Sequence, residues 1–219
     1  MNYSSLVAAV SAYCENTFET VDMDNFIQQA EKRCYNTVQI PALRKNVTGT
    51  TTISNPYLSC PTDFLSSFSL AVIAPVTGAY TYLLNKDVNF IRECYSVPAT
   101  TGTPKYYALF GPRSDAQTEL TFILGPTPDA AYVAELHYNS YPESITTTAS
   151  GTTWLGDNFD PVLLYGTLIE AYTFLKGEAD LLQLYVAKYT EAMQQLKRLG
   201  DGLERSDAYR SGQARVSVP

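Results

Sequence analysis

The chain has 219 residues, of which 45% are hydrophobic and 17% are charged, which is enough apolar material for one large domain or two small ones. Its net charge of −7 argues against specific binding to nucleic-acid phosphates. Tyrosine is unusually frequent, with 17 residues against one tryptophan and one histidine, and this composition suits sheet packing and protein interfaces.

The cysteines and the start of the chain favour folding in a reducing compartment. The four cysteines lie far apart in sequence, so their spacing matches no zinc or redox motif. Residues 1–4 do not open a signal peptide, because no basic start is followed by an apolar run. We therefore expect reduced thiols, cytoplasmic folding and no membrane span, since the apolar runs are too short to cross a bilayer. The thiols are those of Cys14, Cys34, Cys60 and Cys94.

Two helices are predicted at the start of the chain. Apolar residues recur at helical spacing over residues 4–14. A second apolar stripe begins at Phe26 and reaches Val38, with Asp22 or Asp24 as the expected N-cap. This helix should end at residues 40–41, because the residue before a proline avoids helical angles.

The middle of the chain, from about residue 47 to 151, is rich in Thr, Ser, Tyr, Gly and Pro and is predicted to be mostly sheet. A short helix is expected over residues 85–92, capped by Asn85. Gly-Pro turns separate the last three predicted strands, so these strands are expected to form an antiparallel meander. The predicted strands are residues 50–53, 64–70, 105–110, 119–124 and 131–141.

The last third of the chain is predicted to be helical again. A helix capped by one of residues 157–160 should end near Lys176 and Gly177, and a second helix should run from Glu178 to about Leu199. The short connection between them implies an antiparallel helix pair. Glycines 200 and 202 indicate a helix stop, and the remainder reads as an arm or tail.

These elements predict an α+β fold, in which a helical bundle formed by the N- and C-terminal helices carries an inserted antiparallel β domain. The expected domains are a helical core of residues 1–45 with 155–199, a β-rich insertion of residues 46–154, and an extended C-terminal tail of residues 200–219.

The residues needed for catalysis are sparse. The only histidine, His137, lies in an alternating run and is expected on a sheet face with Val133 and Glu135. No nucleophile elbow or phosphate-binding glycine loop is present, and Asp157, Asn158 and Asp160 are better explained as helix caps than as calcium ligands. We therefore expect a protein that is not an enzyme, with no catalytic residues, cofactor or metal. A carboxylate pair among Asp115, Glu119, Glu135 and Glu143 stays open as an alternative.

Several short motifs, taken in order, resemble those of phage head-to-tail adaptor (connector) proteins. The most specific are the Pro-Thr-Asp-Phe-Leu stretch at residues 61–65 and the Leu-Leu-Tyr helix at residues 163–171. The others are residues 26–33, 40–44, 84–88, 102–107, 124–128 and 153–155. The order extends over most of the chain.

This resemblance implies a structural protein of the virion at the head–tail junction. Such adaptors assemble as rings of about twelve copies below the portal protein and above the tail nozzle or tail tube. The resemblance also implies that double-stranded DNA passes through the ring without specific binding and that the C-terminal tail contacts the portal. The tail residues expected to make this contact are Arg205, Tyr209, Arg210, Arg215 and Val216.

Two other readings stay open. The first is another tail-completion or tail-tube component, which would be dominated by sheet and have little terminal helix. The second is a glycan-binding β module, which the density of tyrosine and the Thr-rich loops would suit.

Overall fold

A computed structural model describes residues 1–38, 40–97, 99–111 and 120–204. It contains α-helices and two sheets of mostly antiparallel strands, so the predicted α+β class is confirmed. The chain divides into two compact units. A helical unit takes residues 1–43 together with the chain from Pro142 onward, and a sheet unit takes Arg44–Tyr141.

The described elements follow one another in this order. The helices are α1 (Tyr3–Cys14), α2 (Thr20–Thr37), α3 (Val88–Cys94), α4 (Trp154–Asn158), α5 (Asp160–Phe174) and α6 (Ala179–Glu204), with a 3-10 turn at Pro41–Leu43. The strands are β1 (Arg44–Thr50), β2 (Tyr57–Ser59), β3 (Phe64–Ile73), β4 (Tyr80–Tyr82), β5 (Leu84–Asn85), β6 (Tyr106–Phe110), β7 (Thr121–Gly125) and β8 (Val133–Ser140).

Helix α5 is the centre of the helical unit, where it contacts α1, α2, α4 and α6. Its one interior glycine explains how closely these helices approach. A Cβ added to Gly166 would lie 3.0 Å from the Cβ of Ala30 on α2 and 3.2 Å from the Tyr189 ring on α6. Leu163 and Leu168 of the same helix are completely buried, which makes this apolar helix the core of the unit.

The N-cap predicted for α2 is wrong, because neither Asp22 nor Asp24 caps this helix. Asn2 caps α1 in a capping box with Ser5. Helix α2 begins at Thr20, so Asp22 lies inside its first turn, where its negative charge interacts favourably with the helix dipole. Asp24 instead accepts a hydrogen bond from the Tyr3 hydroxyl at 2.7 Å, which joins α2 to α1.

A buried carboxylate on α2 forms a hydrogen bond with the segment that follows the sheet unit in the chain. Glu31 of α2 is only 3% exposed and accepts a hydrogen bond from the backbone N–H of Ile145 at 3.0 Å. One turn earlier, the Gln28 amide donates to the Thr146 hydroxyl at 3.1 Å. Burial raises the pKa of Glu31, while its hydrogen bonds from Ser144 and Ile145 act in the opposite direction.

The sheet unit is built from two four-stranded sheets that share one core. Sheet A has the strand order β1-β8-β3-β4, and sheet B has the order β2-β7-β6-β5. Of the described strand pairs, only β5 and β6 run parallel. Phe122 of β7 is completely buried and makes edge-to-face contacts with Phe64 and Tyr107, with ring centroids 5.5 Å apart in both cases.

The predicted meander of the last three strands is wrong. Strand β6 pairs with β7 as expected, but β8 pairs with β1 and β3 in the other sheet. The connection after β7 contains Pro126 and Pro128, which lack the N–H groups needed to extend a ladder. The chain therefore crosses from sheet B to sheet A there, and alternating hydrophobicity does not reveal such a crossing because it is the same in either sheet.

Several predicted boundaries also differ from the structure. Residues 51–53 are not strand, and the edge strand is the preceding β1. Asn85 lies in β5, and Asp87 caps the short helix α3 instead. No side chain caps α5; it follows Phe159 and has Pro161 in its first turn, where the missing N–H is not needed.

The predicted helix stop at glycines 200 and 202 is wrong, because α6 continues to Glu204. Gly200 serves packing instead. A Cβ placed there would lie 2.7 Å from the Ile40 side chain, so glycine lets the helix approach the segment that precedes β1. A glycine needed for close approach has the same one-letter signature as a glycine that ends a helix, and the sequence alone did not separate the two.

Candidate interaction surfaces

Helix α6 has an exposed row of three leucines and one lysine beside its buried stripe. The inward stripe includes Tyr185, Ala192 and Leu196. Leu181 and Leu184 were predicted to share that stripe, but their side chains are 39% and 50% exposed. At about 100° per residue, Leu181, Leu184, Lys188 and Leu199 lie along one side of the helix. We call this set the α6 row.

The tail residues predicted to contact the portal lie outside the described residues, as does the segment that contains them. They are Arg205, Tyr209, Arg210, Arg215 and Val216.

The outer face of sheet A has an exposed aromatic patch. Tyr80 and Tyr82 of β4 stack with ring centroids 6.4 Å apart. On the same face, the Arg44 guanidinium lies 4.4 Å from the centroid of the Phe68 ring. The Glu135 carboxylate raises the pKa of Tyr80. Phe68, Tyr80 and Tyr82 are each more than half exposed, so this face offers large, amphipathic contact groups.

Strand β1 is an exposed edge of sheet A, and an apolar groove opens beside it. The groove has a volume of about 240 Å³ and lies between sheet A and sheet B, where the edge strands β1 and β2 border it. Leu58, Leu70, Phe122 and Leu136 line its floor. We call it the β1–β2 groove. An exposed strand edge next to an apolar groove can accept an added strand.

The surroundings of His137 do not form a catalytic triad. As predicted, Val133, Glu135 and His137 share the outer face of sheet A. The Ser69 hydroxyl lies 3.2 Å from Nδ1 of His137, but Oε1 of Glu135 is 3.9 Å from Nε2, which is too long for a hydrogen bond. That oxygen accepts from the Asn46 amide at 2.7 Å. The ring is therefore not held by a carboxylate in the way a catalytic base is.

The other carboxylates singled out in the sequence are not brought together. Asp115 and Glu119 lie outside the described residues, while Glu135 belongs to the sheet unit and Glu143 to the helical unit. Asp157 accepts a hydrogen bond from Thr152, and Thr153 rather than an acidic residue caps α4. Within the described ranges, no group of three His, Cys, Asp or Glu side chains could hold a metal ion.

The cysteines differ in their exposure. Cys34 and Cys60 are buried as expected, whereas Cys14 is partly buried and Cys94 is exposed. Burial, followed by the nearby charge of Glu31, raises the pKa of Cys34 to about 12, which keeps this thiol protonated and unreactive. None of the helices in the described part of the chain combines the length and apolarity that crossing a bilayer requires.

These features define an α+β protein whose notable surfaces are a helix row, an aromatic sheet face and an open strand edge. The model of the family described as SU10 adaptor protein matches residues 1–217. The chain therefore belongs to this family of phage head–tail adaptors, and the resemblance read from its motifs is confirmed. Its role is accordingly that of a structural phage adaptor. No curated protein matches the chain.

Proposed function

We propose that this adaptor forms a closed ring of about twelve copies at the head–tail junction of the virion, between the portal protein and the tail nozzle or tail tube. The match of the adaptor family over residues 1–217 carries this proposal. The subunits fold in the host cytoplasm before assembly. Double-stranded DNA passes through the ring without specific binding, because a chain with a net charge of −7 repels the negatively charged phosphates.

The direct test is to mix the purified protein with purified portal protein and image the product by electron microscopy, with the protein alone as the control. We expect a ring stacked on the portal, and its symmetry gives the copy number. A protein that stays monomeric and unbound in the presence of the portal would refute the adaptor ring.

The α6 row is the proposed wall between neighbouring copies. Its leucines expose apolar surface on a helix whose other side is already packed, and a heterologous contact repeated around an axis closes into a ring. Leu184→Glu should prevent ring formation on the portal, because it places a charge in an apolar contact. The fold should survive, since half of this side chain is exposed.

Gln183→Glu is the matched control for Leu184→Glu. It adds the same charge to the neighbouring residue, which is exposed and points to another side of α6. The control should still form rings. Equal ring formation by both variants would remove the α6 row from the proposed wall.

The C-terminal residues nearest to α6 are the proposed portal contact. Arg205 and Arg210 can pair with carboxylates on the portal, and Tyr209 adds an amphipathic ring between them. A chain cut after Glu204 keeps every described residue of α6. It should fold but lose portal binding in a pull-down assay, and undiminished binding would contradict this assignment.

The alternatives have different consequences. The 26-residue helix α6 weighs against a tail-tube component, which should be dominated by sheet. The stacked pair Tyr80 and Tyr82 is the feature that favours a glycan-binding module, because sugar rings pack on exposed aromatic faces. Glycan-array binding that is lost in a Tyr80→Ala, Tyr82→Ala variant would support that second function.

A further inference from the structure

Strand β1 has one unused hydrogen-bonding edge. The N–H of Thr51 donates to the carbonyl of Tyr132 at 2.9 Å, and the β1–β8 register is continuous. In an antiparallel ladder, alternate residues point their N–H and C=O groups to opposite sides. Lys45, Val47 and Gly49 therefore bond to β8.

The alternate residues Asn46, Thr48 and Thr50 point their backbone groups away from β8. Each of these three residues is exposed. In the described part of the chain, no backbone group bonds to their outward N–H groups. This edge can therefore accept the backbone of one more strand.

The β1–β2 groove lies beside this edge and has room for side chains. Gly49 faces the groove, and a Cβ added to it would meet nothing within 4 Å. Val47 borders the same opening and is 38% exposed. A strand added next to β1 would place every second side chain at the mouth of this apolar groove, beside Val47 and Gly49.

The end of this chain has the pattern that such a site requires. Ala214, Val216 and Val218 alternate with the polar residues Arg215 and Ser217. In an extended strand the three apolar side chains share one face. Valine also favours strands because its branched side chain packs well on a pleated surface. We call residues 214–218 the terminal segment.

The length of chain beyond α6 allows this segment to reach another copy. Residues 205–213 connect Glu204 to the terminal segment. At about 3.3 Å per extended residue, this connector spans up to roughly 30 Å, which is on the order of the diameter of a small domain.

We propose that the terminal segment of one copy pairs with the outer edge of β1 in a neighbouring copy and inserts Val216 and Val218 into its β1–β2 groove. This inference rests on the proposed ring and adds a second contact between neighbours. Arg205, Tyr209 and Arg210 keep the portal contact. Arg215 and Val216, which the resemblance places at the portal, are assigned by this proposal to the contact between copies instead. Each subunit then covers the exposed edge strand of the next, which also prevents uncontrolled edge pairing.

The test measures amide hydrogen exchange by nuclear magnetic resonance, without the portal. The full-length protein carries Val216→Asp and Val218→Asp, so its own terminal segment no longer fits an apolar groove. A synthetic peptide of residues 212–219 is then added. We expect exchange at Asn46, Thr48 and Thr50 to slow by about tenfold or more, because these amides become hydrogen-bonded. Lys45, Val47 and Gly49 already bond to β8 and serve as internal controls.

Two variant peptides make the test specific. The peptide with Val216→Asp should have no effect, because its charge would face the apolar β1–β2 groove. The peptide with Ser217→Asp adds the same charge on the outward face and should still slow the exchange. Equal effects of the two peptides, or no slowing with the natural peptide, would overturn the proposal.

Dilution of the natural full-length protein identifies the copy that supplies the segment. Protection of Asn46, Thr48 and Thr50 should fall as oligomers dissociate. Protection that persists in the monomer would assign the segment to its own chain and overturn the contact between copies. Since the portal is absent, failure here leaves the portal-binding test unaffected. A chain cut after Gln213 should still bind the portal but form less stable rings.

Discussion

Phe122 is the side chain on which the stability of the sheet unit should depend most. It is completely buried, and it packs edge-to-face against Phe64 from sheet A and Tyr107 from sheet B at 5.5 Å. Phe122→Ala should lower the free energy of unfolding by about 3–5 kcal/mol, because apolar burial is lost and a cavity remains. The two aromatic contacts account for about 0.5–1.5 kcal/mol each within that total.

The assay is urea denaturation, in which amide exchange in β6 and β7 reports the unfolding of the sheet unit. With a slope of about 2 kcal/mol per molar urea, the midpoint should fall by about 2 M. Phe110→Ala is the matched control, because Phe110 pairs across the ladder with Thr121, next to Phe122, but is 59% exposed. The control should cost less than about 1 kcal/mol. Equal losses in the two variants would refute the assignment of Phe122 as the centre of this core.

Four further substitutions test two carboxylates and two glycines, all by urea denaturation. Burial raises the pKa of Glu31, so the stability that this group contributes at low pH is lost as pH rises through its pKa in the folded state. The free energy of unfolding of Glu31→Gln should therefore rise relative to that of the natural protein as pH increases from acid to neutral. A difference between the two proteins that does not change with pH would contradict this. Burial alone would raise the pKa of Asp63, but hydrogen bonds from Lys45 and Tyr138 outweigh it and lower this pKa. The stability that Asp63 contributes is therefore lost as pH falls through its pKa in the folded state. Asp63→Asn should lower the free energy of unfolding at neutral pH, and this loss should disappear in acid. Gly166→Leu should cost about 1–3 kcal/mol through overpacking, whereas Gly202→Ala, where a Cβ meets nothing within 4 Å, should be neutral or stabilising; the reverse order would contradict the close helix approach.

Most of the described helices could be predicted from the sequence because their signals are local, but α4 was missed. The apolar stripe of α2 and the break at Lys176 and Gly177 both depend on residues within one or two turns. Lys176 has a positive φ of 53°, and such a backbone conformation ends a helix. Errors occurred where a distant contact decided the outcome, as at Gly200, whose role depends on Ile40 far away in sequence.

The arrangement of the strands could be predicted only in part. Strands β6, β7 and β8 were placed correctly to within a few residues, but the partner of β8 was not. Alternation of apolar and polar residues indicates which face of a strand is buried, but it does not indicate which strand pairs with it. Strand β1 was missed because its Arg-Lys-Asn-Val-Thr-Gly-Thr sequence lacks strong alternation, which is expected of an edge strand whose residues are mostly exposed.

The interaction surfaces were the least accessible to sequence reasoning. Leu181 and Leu184 look like core residues at helical spacing, and only the packing of α6 shows that they face solvent. The β1–β2 groove is likewise formed by strands that are distant in sequence. The family, in contrast, was recognised from motif order, because short segments such as residues 61–65 keep their order whatever the fold around them.

The lengths of the edge strands limit where another strand can pair with this protein through backbone hydrogen bonds. Among the described strands, the edges β2, β4 and β5 have only two or three residues each, whereas β1 has seven. Short edges give an incoming strand few hydrogen bonds, so strand addition to the sheet unit should concentrate on β1. The helices of the helical unit offer mainly side chains, because their backbone groups are bonded within the helices. Contacts through the α6 row should therefore respond to side-chain charge, and contacts through β1 should respond to loss of an outward N–H, as in Thr48→Pro.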